Sequence, residues 1–260
     1  MYTFNSRVRY SECDSDSNLT LTGIVNYLQD CSVFQSNDLG VGIDYLTSHH
    51  LGWVVNYWQI DVLKRPTLGD SIRIGTSPYK MGGFFGMRNF AIDSAEGGRL
   101  VQADSMWTLM NLSEYVPTKV PELFLERYEM FPKFDMEYLG RKIRPSKDAV
   151  FEPAGSVTVT PFDLDSNHHL NNSRYIDWAL MAMKAADDAF DEHAVKRLRV
   201  EYRQQVLLGE TLTMSCCRET SSADGEAGTA GGAKTQMGTV YTVEMANKNG
   251  DVCCVLQAVL

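Results

Sequence analysis

The feature that most constrains this chain is a repeat. Asp14-Ser15-Asp16-Ser17-Asn18 aligns with Asp163-Leu164-Asp165-Ser166-Asn167, four identities in five residues at an offset of 149. Further along, Leu68-Gly69-Asp70 aligns with Leu208-Gly209-Glu210. In each copy a strand-like segment precedes the polar loop and a helical stripe follows it. In the first copy Ile24, Tyr27, Leu28, Cys31 and Phe34 fall at i, i+3, i+4, i+7 and i+10. In the second, Tyr175, Ile176, Ala179, Leu180 and Met183 fall at i, i+1, i+4, i+5 and i+8. Both spacings are those of a buried helix face. Duplication of one strand–loop–helix–strands unit accounts for the order.

After each helix the pattern turns strand-like. GWVVNYWQIDVLKRP, DSIRIGTSPYKM, GFFGMRNFAID and LVQADSMWTLMNL follow the first, and three strand-like segments, KRLRVEYRQQVLLGETLTMSC, QMGTVYTVEMAN and DVCCVLQAVL, follow the second. A sheet wrapped around one central helix is the hotdog fold, so the repeat predicts an α+β double hotdog. Residues 1–113 form the first copy and 155–260 the second. The proline-bearing segment 114–154 reads as a linker between them. Residues 220–233, TSSADGEAGTAGGA, read as a flexible hairpin loop.

The loop Asp163–Asn172 concentrates two acids, three asparagines and two adjacent histidines. Asn172 or Ser173 is expected to cap the following helix, its side-chain oxygen accepting a free backbone N–H. A polar loop at a helix N-terminus suits chemistry, because the unpaired N–H groups and partial positive charge can stabilise a developing oxyanion. Taken alone, the same residues serve equally as turn formers. In the sequence alignment Leu19 and Thr20 stand opposite His168 and His169, which places any chemistry in the second half.

Bulk properties narrow the class. With 44% apolar and 22% charged residues, a chain of 260 can build a sizeable core. Its formal charge of −9 argues against generic nucleic-acid binding. The six cysteines show no CxxC spacing, so free thiols rather than a metal site are expected. No apolar run approaches membrane-spanning length and no signal-peptide pattern opens the chain, so a cytoplasmic protein is expected.

The run DLDSNHHLNNSRYIDW resembles the acyl-acyl-carrier-protein (acyl-ACP) thioesterases. That family's second hotdog domain carries Asp-Leu-Asp-x-Asn-x-His-x-Asn-Asn-x-x-Tyr, matched here at Asp163, Leu164, Asp165, Asn167, His169, Asn171, Asn172 and Tyr175. Agreement continues through Trp107, Pro117 and the LLGE turn. The chain begins without the transit peptide of the plant members, which implies a bacterial-type enzyme. The resemblance implies hydrolysis of a fatty acyl thioester on acyl carrier protein, with no cofactor. It makes Asp165, Asn167 and His169 catalytic, together with a residue on the following strand. There this sequence departs: the family's Tyr-Arg-x-Glu-Cys is Tyr202-Arg203-Gln204-Gln205-Val206. Val206 excludes a cysteine nucleophile at that position, and Gln205 cannot act as a general base, although its amide can orient a water. Either His169 or Asp165 would activate the water. Asn167 and backbone N–H groups at the helix start would bind the oxyanion.

The resemblance also implies an acidic carrier-protein partner, received by basic residues. The candidates are Arg141, Lys142, Arg144, Lys147, Lys196, Arg197 and Arg199, with Lys64 and Arg65. The acyl chain is expected in the first hotdog, lined or capped by Trp53, Trp58, Phe84 and Phe85, with Asn172 as a further substrate contact. Competing readings are a hotdog acyl-CoA thioesterase and a non-catalytic acyl-binding protein, the latter favoured by Gln205. Duplication already supplies the two-hotdog unit, and a homodimer of the whole chain is left open.

Overall fold

Two long helices each present one apolar face, and each lies against the antiparallel strands of its own unit. The computed structural model describes residues 1–165, 168–221 and 238–260 and divides into two units, Met1–Arg141 and Lys142–Leu260. In the first unit β1 (Tyr2–Arg7) leads to α1 (Leu21–Asp38) and a short α2 (Ile43–Ser48). Four strands follow: β2 (Leu51–Val62), β3 (Ser71–Gly82), β4 (Phe85–Ser94) and β5 (Arg99–Asn111). They pair in the order β1-β3-β4-β5-β2, with the two-residue β6 (Val116–Pro117) beside β5. A short α3 (Glu122–Arg127) comes next.

The second unit repeats the plan. β7 (Glu152–Thr158) leads to α4 (Arg174–Ala186), then to β8 (Arg197–Tyr202), β9 (Thr211–Ser221), β10 (Gly238–Ala246) and β11 (Val252–Val259). The order is β7-β9-β10-β11-β8, the first unit's order strand for strand. Each unit is therefore a hotdog, and the chain is a double hotdog of α+β class.

The helix stripes bury nearly as expected. On α1, Ile24, Tyr27, Leu28 and Cys31 are buried, but Phe34 is exposed and meets Phe4 edge-on at 5.2 Å. Gln35 takes the buried position instead. On α4, Tyr175, Ile176, Ala179 and Met183 are buried.

The segment read as a linker, 114–154, is divided between the units. Its first part folds into the N-terminal unit because it has apolar and polar anchors. Val120, Phe124 and Tyr128 pack with Val41 and Leu109. Buried Gln59 holds a stretch beyond them with both ends of its amide, donating to Glu137 C=O (2.7 Å) and accepting from Leu139 N–H (3.0 Å). Asn89 does the same work for Phe134 N–H (3.1 Å) and the Tyr138 hydroxyl (3.0 Å). Buried amides that find backbone partners offset their desolvation, and the segment is fixed to the sheet. The loop read over 220–233 falls outside the described residues from 222 onward.

Candidate active site

After β7 the second unit makes one 3-10 turn at Pro161–Asp163, where proline costs no hydrogen bond because its position has no N–H partner. Asp163 closes the turn by accepting the N–H and hydroxyl of Thr160, at 2.9 and 2.5 Å. Burial opposes its charge, but these bonds and nearby Arg174 outweigh burial and hold the carboxyl below its usual range. Leu164 then bridges Leu170, and the chain between them reverses tightly. Asp165 N–H donates to His169 C=O (2.8 Å) and His168 N–H to Asp165 C=O (3.1 Å). The reversal puts His168 at φ +61, exposed to solvent.

Within this turn the Asp165 carboxylate accepts the backbone N–H of His169 at 3.2 Å. Both residues are half-buried. The next residue, Leu170, donates its N–H to Val206 C=O at 2.9 Å, and His169 bridges Leu207. The loop is thus stitched to the segment after β8, so Asp165, His169 and exposed Gln205 belong to one backbone neighbourhood. Glu210 fixes that segment by accepting Leu207 N–H at 2.7 Å. Asn167 lies outside the described residues.

The start of α4 corrects one expectation. Ser173 does not cap with its side chain; its N–H and hydroxyl both donate to Asn171 Oδ1, each at 3.0 Å. Ser173 already has helical angles, so its hydroxyl cannot reach forward to the N–H groups of the first turn. Asn172 offers its C=O to the Tyr202 hydroxyl at 2.9 Å, and Tyr202 packs edge-on against Tyr175 at 5.4 Å. Burial raises both phenols, which keeps them protonated donors at neutral pH. Sequence reading did not single out Tyr202 or Glu210 for these roles. The repeated Leu-Gly-Asp/Glu turn carried the signal for Glu210, since Asp70 likewise accepts Thr67 N–H (2.9 Å).

The first unit contains the same backbone frame, two residues out of step with the sequence alignment. Asp14 N–H donates to Asn18 C=O, Ser17 N–H to Asp14 C=O, Leu19 N–H to Pro66 C=O and Thr20 N–H to Glu12 C=O. The partners in the second unit are Asp165 with His169, His168 with Asp165, Leu170 with Val206, and Asn171 with Asp163. Ser17 even shares the left-handed turn of His168, at φ +65. Asp14 therefore stands where Asp165 does, and Asn18, not Thr20, stands where His169 does. Its N–H is accepted by Asp14 Oδ1 at 2.9 Å. The physical reason for the slip is that Asp, Ser and Asn at alternating positions satisfy turn chemistry in either register.

The other expected positions scatter. Trp58 is fully buried in the first unit, whereas Phe84 and Phe85 stand exposed at the β3–β4 turn. Trp53 is half-buried against Phe124 at 6.1 Å. Arg141, Lys142, Arg144, Lys147, Lys196 and Lys64 are exposed and Arg197 is half-buried. One of the basic candidates is corrected: Arg199 is buried and donates to Gln257 (3.1 Å) and Lys142 C=O (3.2 Å), while half-buried Arg65 donates to Leu19 C=O (3.1 Å). Guanidiniums spent on backbone and amide oxygens hold the fold. The thiols are poor nucleophiles: burial pushes Cys31 and Cys216 up to about 12 and also raises Cys253 and Cys254. Val206, in the family's cysteine position, is buried.

The sequence matches the acyl-ACP thioesterase N-terminal domain over residues 1–128 and the acyl-ACP thioesterase C-terminal domain over residues 151–255. It is 26% identical over 216 residues to a chloroplastic palmitoyl-acyl carrier protein thioesterase of Gossypium hirsutum, covering 79% of this chain and 52% of the relative. It is 26% identical over 238 residues to oleoyl-acyl carrier protein thioesterase 1 of Arabidopsis thaliana, covering 86% and 65%. The chain spans about half the length of the first of these relatives. The crystal structure of an acyl-ACP thioesterase from Bacteroides thetaiotaomicron shares the fold with a TM-score of 0.78 at 22% identity, over 99% of this chain and 96% of the other. A 12:0-ACP thioesterase from Umbellularia californica does so at 0.74 and 18%, over 99% and 96%.

Proposed function

The chain belongs to the acyl-ACP thioesterase family, and from that membership we propose that it hydrolyses the thioester of a fatty acyl group carried on acyl carrier protein. The products are a free fatty acid and the carrier's phosphopantetheine thiol. The observation that carries the reading is the Asp165–His169 turn, which holds a histidine beside the start of a buried helix.

His169 takes a proton from a water, whose oxygen attacks the thioester carbonyl. The carbonyl oxygen becomes an oxyanion, held by Asn167 and by backbone N–H groups near the start of α4. Collapse breaks the C–S bond, and the proton on His169 passes to the leaving sulfur. Gln205 orients the water through its amide. Asp165 positions the loop. Its counterpart Asp14 makes the same bond in a unit whose turn carries Asn18 in place of a histidine, which supports giving the proton to His169.

The acyl chain enters the N-terminal unit, and Arg141, Lys142, Arg144, Lys196 and Arg197 receive the acidic carrier. Among the described residues no helix is long and apolar enough to cross a membrane. Cytoplasmic location and a homodimer belong to the proposal.

The test is fatty acid release from a panel of acyl-ACP and acyl-CoA substrates by the wild type and His169→Ala. Release from carrier protein that collapses in the variant supports the reading. A preference for CoA moves the substrate class. Tight acyl binding without release, with activity appearing in Gln205→Glu, would make this a binding protein.

A further inference from the structure

The interior of the N-terminal unit is not uniformly apolar. Trp58, Ile60, Phe90 and Ile92 are fully buried there. Strand alternation turns Arg88 to the face of Phe90, two residues on. The Arg88 guanidinium carbon lies 5.8 Å from the Phe90 ring centre and 5.4 Å from that of Tyr128. Arg88 is only 7% exposed, and among the described residues it forms no salt bridge, its guanidinium lying against ring faces.

Two further polar groups are stranded in the same unit. Gln35 on α1 is 5% exposed, and its Oε1 is buried with no hydrogen-bond partner among the described residues. The indole N–H of Trp58, whose ring packs on Phe90 at 5.0 Å, is also buried and unpartnered. α1 brings Gln35 toward Arg88. Cys31, one turn earlier, feels the charge of Arg88, and Ser36, the next residue, shares a 2.6 Å hydrogen bond with the hydroxyl of Tyr128. A buried cation held only by ring faces and two unbonded polar atoms are each costly. Arg88 and Trp58 share the Phe90 ring, and Gln35 lies one turn from Cys31 on the buried face of α1.

We propose that Arg88, Trp58 and Gln35 form a binding site for an oxygen function on an acyl chain, a hydroxyl or an oxo group. Arg88 and the Trp58 N–H donate to that oxygen, and Gln35 Oε1 accepts from a hydroxyl. The proposal rests on the reading that this unit receives the acyl chain and names the substrate class. A plain hydrocarbon leaves all three groups unsatisfied, so a site of this kind discriminates against the unsubstituted chain.

The experiment is direct binding of free fatty acids to the full-length protein by calorimetry and tryptophan fluorescence, with hydroxy, oxo and unsubstituted acids of matched length. The oxygen's position along the chain is varied. An oxygenated acid should bind at least about 10-fold more tightly than its plain counterpart. Arg88→Met should remove the preference, and Gln35→Leu should weaken hydroxy binding more than oxo binding. Thermal melting checks that each variant is folded, and Gln35→Leu carries the test if Arg88→Met is not. Equal binding of plain and oxygenated acids, or a preference that survives in the folded variants, overturns the proposal. Hydrolysis of plain acyl-ACP without oxygen preference would sink it and leave the hydrolase reading standing. Oxygen-selective binding without hydrolysis would do the reverse. No binding of any acid would overturn the proposal, and fatty acid release from acyl-ACP would decide the hydrolase reading separately.

Discussion

The backbone N–H of His169 is held by the carboxylate of Asp165, at 3.2 Å. Asn18 and Asp14 make the same contact at 2.9 Å in the first unit. One copy of the turn carries a titratable ring and the other an amide, on a shared backbone. The carboxylate therefore has a loop-forming task that exists without any chemistry.

That task gives a prediction for Asp165. Asp165→Ala deletes the acceptor and should cost about 1–2 kcal/mol, the worth of a side-chain oxygen closing a backbone turn. Asp165→Asn keeps an oxygen acceptor and should cost much less. Urea unfolding of the two variants decides it. Equal losses would mean that the carboxylate's charge, not its acceptor, matters.

His169 and His168 should separate cleanly. His169→Ala is expected to lower the hydrolysis rate by about 10²–10⁴, the usual worth of a positioned base. His168→Gly should leave the rate near wild type and stabilise the fold by up to about 1 kcal/mol, because glycine has no Cβ to strain at φ +61. Rates and melting temperatures of the two variants provide the check, and a rate collapse in His168→Gly would reassign the base.

Gln205 should reveal itself in the pH profile. With an amide at this position, the acid limb of kcat/KM reports one group. Gln205→Glu adds a second titrating group, a carboxyl, and should change the shape of that limb, whereas Gln205→Ala should lower the rate without reshaping it. An unchanged profile in Gln205→Glu would remove Gln205 from the site.

Acid should weaken both loops through paired carboxylates. Burial opposes the charge on Glu12 and on Asp163, yet Arg9 and Tyr27 hold the first below its ordinary value of 4.5, and Thr160 and Arg174 hold the second below 3.8. A carboxyl whose pKa is depressed by folding contributes stability that is complete above its ordinary value and is lost as pH falls through the folded one. The gap between wild type and Asp163→Asn should therefore be present at pH 7 and vanish in the acid range. Denaturant midpoints measured across pH 2–7 would show it, and a gap that persists at the acid end would contradict it.

Much of this was legible in the sequence. The stripes on α1 and α4 specified which faces are buried, since apolar spacing at the helical period leaves one way to pack. The DLDSNHHLNN motif located the candidate loop through its match to the family's Asp-Leu-Asp-x-Asn-x-His-x-Asn-Asn pattern, since its residue types alone would equally make a turn. Phe34 was misread because periodicity fixes a face and not its depth: the α1 stripe continues through Gln35, and Phe34 packs at the edge against Phe4.

By itself the sequence determined that there are two similar units, their long helices and their family, because these depend on local pattern and on residue identity, whereas it ran β8 and β9 together as one strand. Tertiary structure alone decided the register that makes Asn18, and not Thr20, the counterpart of His169. It also decided that Phe124 and the amides of Gln59 and Asn89 bind an apparent linker to a sheet, and that Arg88 is buried against the rings of Phe90 and Tyr128. These are relations between residues far apart in the chain. They depend on which backbone groups and side chains are brought to face one another, and no window of sequence contains both members of such a pair.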